Sequence, residues 1–138
     1  MRFMVLMPAT PESEQGVLPS EDDLNSMMSY NEQLVKAGVM LAGEGLHASS
    51  KGVRVSFDNA GKTTVVDGPF TEAKELIAGF WLWQVSSKEE AVEWAKRCPV
   101  RGITLELRQI FEADDFGAAL TDELREKEAS LRALSESR

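Results

Sequence analysis

The chain has 138 residues, 43% hydrophobic and 28% charged, a balance that fits one globular domain and excludes an intrinsically disordered chain. A net charge of −8 with no local Lys/Arg cluster argues against nucleic acid as a direct partner. No apolar run approaches the ~20 residues of a membrane span, the N-terminal run is too short for a signal peptide, and a single cysteine, Cys98, permits no internal disulfide, so a cytoplasmic home is expected.

In chain order, "RFMVLMP" (Arg2 to Pro8) predicts a short buried strand closed by Pro8 and Pro11, and the turn formers of "TPESEQGVLPS" predict a loop. Ser20 reads as a helix N-cap, with Asp22 and Asp23 in a first turn that favours acids. Leu24, Met27, Met28, Asn31, Leu34 and Val35 fall on one face of the helix that follows, and Gly38 stops it. "VMLAGEGLHASS" predicts a strand that frays through Gly43 and Gly45. Val53, Val55 and Phe57 alternate, the chain turns at Asp58–Gly61, and Thr63 to Val66 returns, which predicts a hairpin.

"AGFWLWQV" is the most apolar strand. Ser87 with Glu90 three residues on resembles a capping box opening a second helix, with Ala91, Trp94, Ala95 and Cys98 on one side and Pro99 after its end. "ITLELRQIF" alternates through Ile103, Leu105 and Leu107 as a last strand. From Leu120 a polar helix follows, with a sparse leucine stripe and i,i+4 pairs Glu123–Lys127 and Glu128–Arg132. The order β-α-β, hairpin, β-α-β predicts an α+β ferredoxin-like sandwich with a hairpin insertion and a C-terminal helix.

Residues 78–83 do not alternate in polarity: Ala78, Phe80 and Leu82 point one way, Gly79, Trp81 and Trp83 the other. Helices cover one sheet face only, so the expectation is a homodimer that clasps sheet against sheet and shelters the tryptophans.

"GEGLHA" (43–48) has dinucleotide-loop spacing, but the extended "SSKGVRVSF" follows where a helix is required. His47 is the only histidine, so no imidazole cluster can form, and Glu44 with His47 is too thin for a metal site. Cys98 closes a helix, where the dipole raises a thiol pKa, so it is no nucleophile. Asp67 in "DGPF" can serve as a turn residue or present a carboxylate, and His47 can exchange protons beside one.

With "AGVMLAGEGLHASSKGVRV" (37–55), "DGPFTEAKELIAGFWLWQVSSKEEAVEWAKRCP" (67–99) and "ITLELRQIFEADDF" (103–116) in hand, the chain resembles the YCII-related family, in its DGPF-domain branch. The resemblance spans roughly residues 1–116, leaving 117–138 as a helical tail. It implies a ferredoxin-like fold of the dimeric α/β-barrel type that dimerises through its sheet, and a His and an Asp in a cleft. By motif position these are Asp67 and His47, and the implied chemistry is lyase- or isomerase-like work on a small organic acid. Some relatives are linked to extracytoplasmic-function sigma factors, which implies a non-enzymatic, ligand-binding or regulatory alternative. Glu44, Phe70, Lys74, Trp81 and Trp83 are the candidate pocket residues, Lys74 being available to an anionic substrate. No metal or cofactor is expected.

Overall fold

The computed structural model describes residues 1–137; Arg138, the last residue of the expected tail, lies outside them. Six strands form: β1 (Arg2–Pro8), β2 (Met40–Gly45), β3 (Val53–Phe57), β4 (Thr63–Asp67), β5 (Ile77–Gln84) and β6 (Glu106–Gln109). The helices are α1 (Pro11–Glu14), α2 (Glu21–Lys36), α3 (Lys88–Lys96) and α4 (Asp122–Glu136), with 3-10 turns at Ser49–Lys51, Ala73–Glu75 and Ala113–Ala119.

The main sheet has the order β2-β5-β1-β6 with antiparallel pairing throughout, and β3-β4 is a separate two-stranded ribbon. Setting the ribbon aside, two β-α-β units interleave so that β5 lies between β1 and β2. That is the ferredoxin-like α+β sandwich expected from the element order.

The helix ends follow their caps. Ser20 accepts from the Asp23 amide, and the Asp23 carboxylate returns to the Ser20 amide. Ser87 caps α3 through the Glu90 amide, but the Glu90 carboxylate turns to Ser86, bonding its N–H and hydroxyl, so the reciprocal half of the expected capping box is absent. In the tail, Thr121 caps α4 and Glu128 pairs with Arg132; Glu123 and Lys127 do not pair. The loop after Pro8 contains the unforeseen turn α1, capped reciprocally by Thr10 and Ser13.

The apolar stripe of α2 is rotated from the expected one. Tyr30 and Leu34 are buried and Met27 and Asn31 half-buried, whereas Leu24, Met28 and Val35 are exposed. Tyr30 takes the inward position because its hydroxyl reaches across to α3 and donates to the Trp94 carbonyl at 2.7 Å. Burial pushes the Tyr30 hydroxyl pKa well above its usual value.

The core between helices and sheet holds Phe3, Val5, Trp81, Trp83, Val85, Leu34 and Ala91. Trp81 and Trp83 therefore point to the helix layer, at 5% and 0% exposure within a single chain. This corrects the expectation that they need a partner molecule for cover. The reason lies in alternation: β5 sends Gly79, Trp81 and Trp83 to the helices, and Ala78, Phe80 and Leu82 to the opposite face. There the cross-strand pairs Met4–Leu82 and Leu6–Phe80 remain half-buried.

The last strand is shorter than its alternating sequence: Glu106–Gln109 pairs with β1, and Ile110 adds one bond to the Arg2 carbonyl, while Ile103 and Leu105 precede the paired stretch. The ribbon turns at Asp58, whose carboxylate accepts from the Ala60 and Lys62 amides, and Gly61 takes φ 83°. All ten ribbon residues are exposed.

Candidate functional site

One end of the main sheet, where β1 and β2 finish and β5 begins, gathers the candidate residues. Here β2 does not fray but continues to Gly45, pairing Gly43 with Trp81 and Gly45 with Gly79, while Met7 of β1 flanks Gly79 on the other side. Gly43, Gly45 and Gly79 all face the helix layer. Three missing side chains leave a trough between sheet and α2, a cleft of about 170 Å³ whose other walls include Met27, Asn31 and Trp81.

The glycines are needed for different reasons. A Cβ at Gly43 would lie 2.8 Å from the Trp81 ring and 2.7 Å from the Met40 Cε, so its absence lets the indole lie across β2. A Cβ at Gly79 would meet the Glu44 carbonyl at 2.9 Å, whereas one at Gly45 would meet nothing within 4 Å. Trp81 is further fixed by an edge-on contact with Tyr30 and by donating its indole N–H to Asn31 Oδ1 at 2.9 Å.

Beyond Gly45 the chain runs through His47 into the Ser49–Lys51 turn, and the Asp67–Phe70 turn packs directly on it. Gly68 donates to the Gly52 carbonyl at 3.0 Å, and the Phe70 amide donates to Ser49 Oγ at 3.0 Å. The Gly68–Pro69 bond is cis. Ser49 is held from the far side by Glu14 of α1: its amide donates to Oε2 at 2.9 Å and its hydroxyl to Oε1. The hydroxyl bond first, and the amide bond second, hold the Glu14 carboxyl below its usual pKa.

The loops bearing His47 and Asp67 are thus clasped together, one residue from the close contact on the Asp67 side and two on the His47 side. Both side chains are exposed, and no hydrogen bond joins them to each other or to a third group among the described residues. Neither lines the cleft.

Among the other candidates, Trp81 lines the cleft, and Glu44 borders it with its side chain alternating toward the opposite sheet face. Phe70 lies outside the cleft with the Arg54 guanidinium 3.7 Å above its ring. Lys74 is exposed and makes no ion pair among the described residues. Trp83 is sealed in the core and cannot touch a ligand. Burial, and not the helix dipole invoked from the sequence, pushes the Cys98 thiol up to about 11.

Sequence reasoning missed Asn31, Ser49 and Glu14. Asn31 did leave a signal, as a polar residue within the apolar stripe of α2. Glu14 and Ser49 left none, being 35 residues apart in segments without periodicity.

Fold and site together define a ferredoxin-like α+β protein with a small-molecule-sized cleft at one end of its sheet. Residues 1–114 match the YCII-related domain, and the chain belongs to that family. A 38-residue stretch is 47% identical to the uncharacterized protein R00369 of Rhizobium meliloti (strain 1021), covering 28% of this chain and 31% of that protein. The chain therefore matches about a third of the length of that curated relative. Among solved structures, it resembles the 5-chloro-2-hydroxyhydroquinone dehydrochlorinase (TftG) of Burkholderia phenoliruptrix AC1100, in complex with 2,5-dihydroxybenzoquinone. That likeness has 19% identity and a TM-score of 0.39, covering 81% of this chain and 96% of the other. No helix among the described residues is long and apolar enough to cross a membrane.

Proposed function

We propose that this YCII-related protein is a homodimer that carries out lyase- or isomerase-like acid/base chemistry on a small organic acid. His47 acts as the proton-exchanging group, and Asp67 orients its ring or shares its proton. The supporting observation is the clasp: Gly68 and Phe70 are bonded to the Ser49–Gly52 turn, which ties together the two loops bearing these side chains. General acid/base groups of this kind contribute about 10²–10⁴-fold to rate.

His47→Ala and Asp67→Ala are each expected to lower turnover by that factor at an unchanged melting temperature, since both side chains are exposed and unbonded. The assay is NMR monitoring of α- and β-substituted carboxylic acids. Wild-type turnover in both variants overturns the catalytic assignment.

The second copy is placed on the sheet face away from the helices. Met4, Leu6, Phe80 and Leu82 form its half-buried apolar centre, with Glu106 and Arg108 at the rim. Next in the chain to this sheet, the ribbon exposes Val53, Val55, Phe57 and Val65 along one face, Phe57 at 71%. Apolar area of this kind is stabilised by a self-complementary partner. Leu82→Arg is expected to convert the dimer to a folded monomer, read by sedimentation alongside circular dichroism. A wild-type chain that sediments as a monomer ends this assignment.

A second reading is favoured by the absence of any hydrogen bond to His47 or Asp67 among the described residues. In it the protein binds a ligand without turning it over and regulates an extracytoplasmic-function sigma factor. Co-purification with a sigma factor that survives His47→Ala distinguishes this reading from the enzymatic one.

A further inference from the structure

The orientation of Asn31 says what the cleft can hold. An indole nitrogen only donates, so the Asn31 atom facing Trp81 must be the carbonyl oxygen, which places the Nδ2 amine on the other side. No partner takes that amine's two N–H groups among the described residues, although Asn31 is half-buried and lines the trough. The neighbouring wall is apolar: Met7, Met27 and the Trp81 ring, above glycine backbone. A pair of fixed donors on an apolar wall is arranged to receive an acceptor.

Size narrows the class. An enclosed apolar cavity of 150 Å³ takes a benzene molecule, and this cleft, about 170 Å³ and open on one side, has room for a single ring. We infer that the trough is a binding site for a compact molecule of single-ring size, with a carbonyl or carboxylate oxygen seated on Asn31 Nδ2 and its apolar body against Trp81 and the three glycines. Asn31 is thereby a specificity-determining residue, selecting an acceptor-bearing ligand. The inference deepens the proposed function, on which it rests, by naming the class of molecule held in the cleft that adjoins the His47 loop at Gly45. Its test does not depend on catalysis, because binding and turnover are read separately.

Three variants and two probes test it. The probes are acetophenone, which carries a carbonyl, and toluene, which carries none; binding is followed through the indole N–H resonance of Trp81 in ¹⁵N-labelled protein. Asn31→Asp keeps an oxygen for the Trp81 indole and loses the amine, so the sheet stays in order while the donors vanish. It is expected to weaken acetophenone about tenfold and change toluene less than about twofold, the loss of one good hydrogen bond. Asn31→Gln, which restores an amide on a longer arm, is expected to recover part of the difference. Gly45→Leu fills the trough from a position where a Cβ meets no atom, and is expected to abolish both probes at an unchanged melting temperature. The inference fails if neither probe moves the Trp81 resonance up to its solubility limit, or if Asn31→Asp affects the two probes equally. Should it fail while His47→Ala still abolishes turnover, the ligand class is wrong and the acid/base reading stands. Should the probes behave as expected while turnover is unaffected by His47→Ala, the cleft is a binding site without that catalyst.

Discussion

Gly68→Ala is expected to unseat the Asp67–Phe70 turn and cost about 3 kcal/mol, more than overpacking a site with mobile neighbours would cost. An added Cβ would lie 1.7 Å from the Ser49 carbonyl oxygen and 2.7 Å from its carbon. No rotamer change relieves this, because the atoms in the way are backbone. That backbone is itself anchored, by Glu14 through the Ser49 amide and hydroxyl and by the Gly52 carbonyl accepting from Gly68. Separating the two loops by the necessary ångström or more therefore breaks the Phe70–Ser49 and Gly68–Gly52 bonds as well, each worth about 1 kcal/mol. Thermal denaturation is expected to show a fall of roughly 10 °C, with hydrogen-exchange protection lost first at the Gly68 and Phe70 amides. Gly45→Ala is the matched control: it adds the same methyl in open space and is expected to stay within about 0.5 kcal/mol of wild type. A Gly68→Ala protein with wild-type protection at Phe70 would show that the clasp does not exist.

The two kinds of glycine in this comparison mark where sequence reading stops. Elements whose signals are local were legible: the caps at Ser20 and Ser87, the alternation of β3, and the Asp58–Gly61 turn each need only a few neighbouring residues. Their order was enough to reach the ferredoxin-like sandwich. Features set by which element packs against which were not legible. Gly43 and Gly45 look like strand weakeners in one dimension and become a trough only once Gly79 stands beside them. The paired apolar faces of β5 were visible, but which face the helices would cover depends on the crossover, and the tryptophans went to the helix side. The same holds for α2, where a tyrosine hydroxyl with a partner on α3 turned the buried face away from Met28 and Val35. Within the candidate site, the Asp67–Phe70 turn was legible because "DGPF" dictates one. Glu14 was not, since nothing in "TPESE" announces a carboxylate that will bond a serine 35 residues further on.

Trp83→Ala is expected to cost about 3–5 kcal/mol, the range for emptying a large aromatic site. With total stabilities of about 5–15 kcal/mol, that threatens the fold itself. Trp83 is completely buried where three strands meet, opposite Phe3 on β1 and Met40 on β2. Its ring also contacts Trp81 at 6.1 Å between centroids. Removing it opens a void between sheet and helices that Leu34, Val39 and Val85 cannot close without moving their own strands or helix. Trp83→Phe is the informative partner. The Trp83 indole nitrogen is buried with no hydrogen-bond acceptor among the described residues, a state that itself costs about 1–3 kcal/mol. Phenylalanine gives up ring volume but also removes that orphaned donor, so the two effects oppose and the net loss is expected near 1 kcal/mol. Trp81→Phe reverses the logic, because it strips Asn31 Oδ1 of the donor that now satisfies it. Chemical denaturation of the three variants should therefore rank them Trp83→Phe, Trp81→Phe, Trp83→Ala in order of increasing loss. A Trp83→Phe protein less stable than Trp81→Phe would mean that the buried indole has an acceptor and that the packing between sheet and helices differs from the one described.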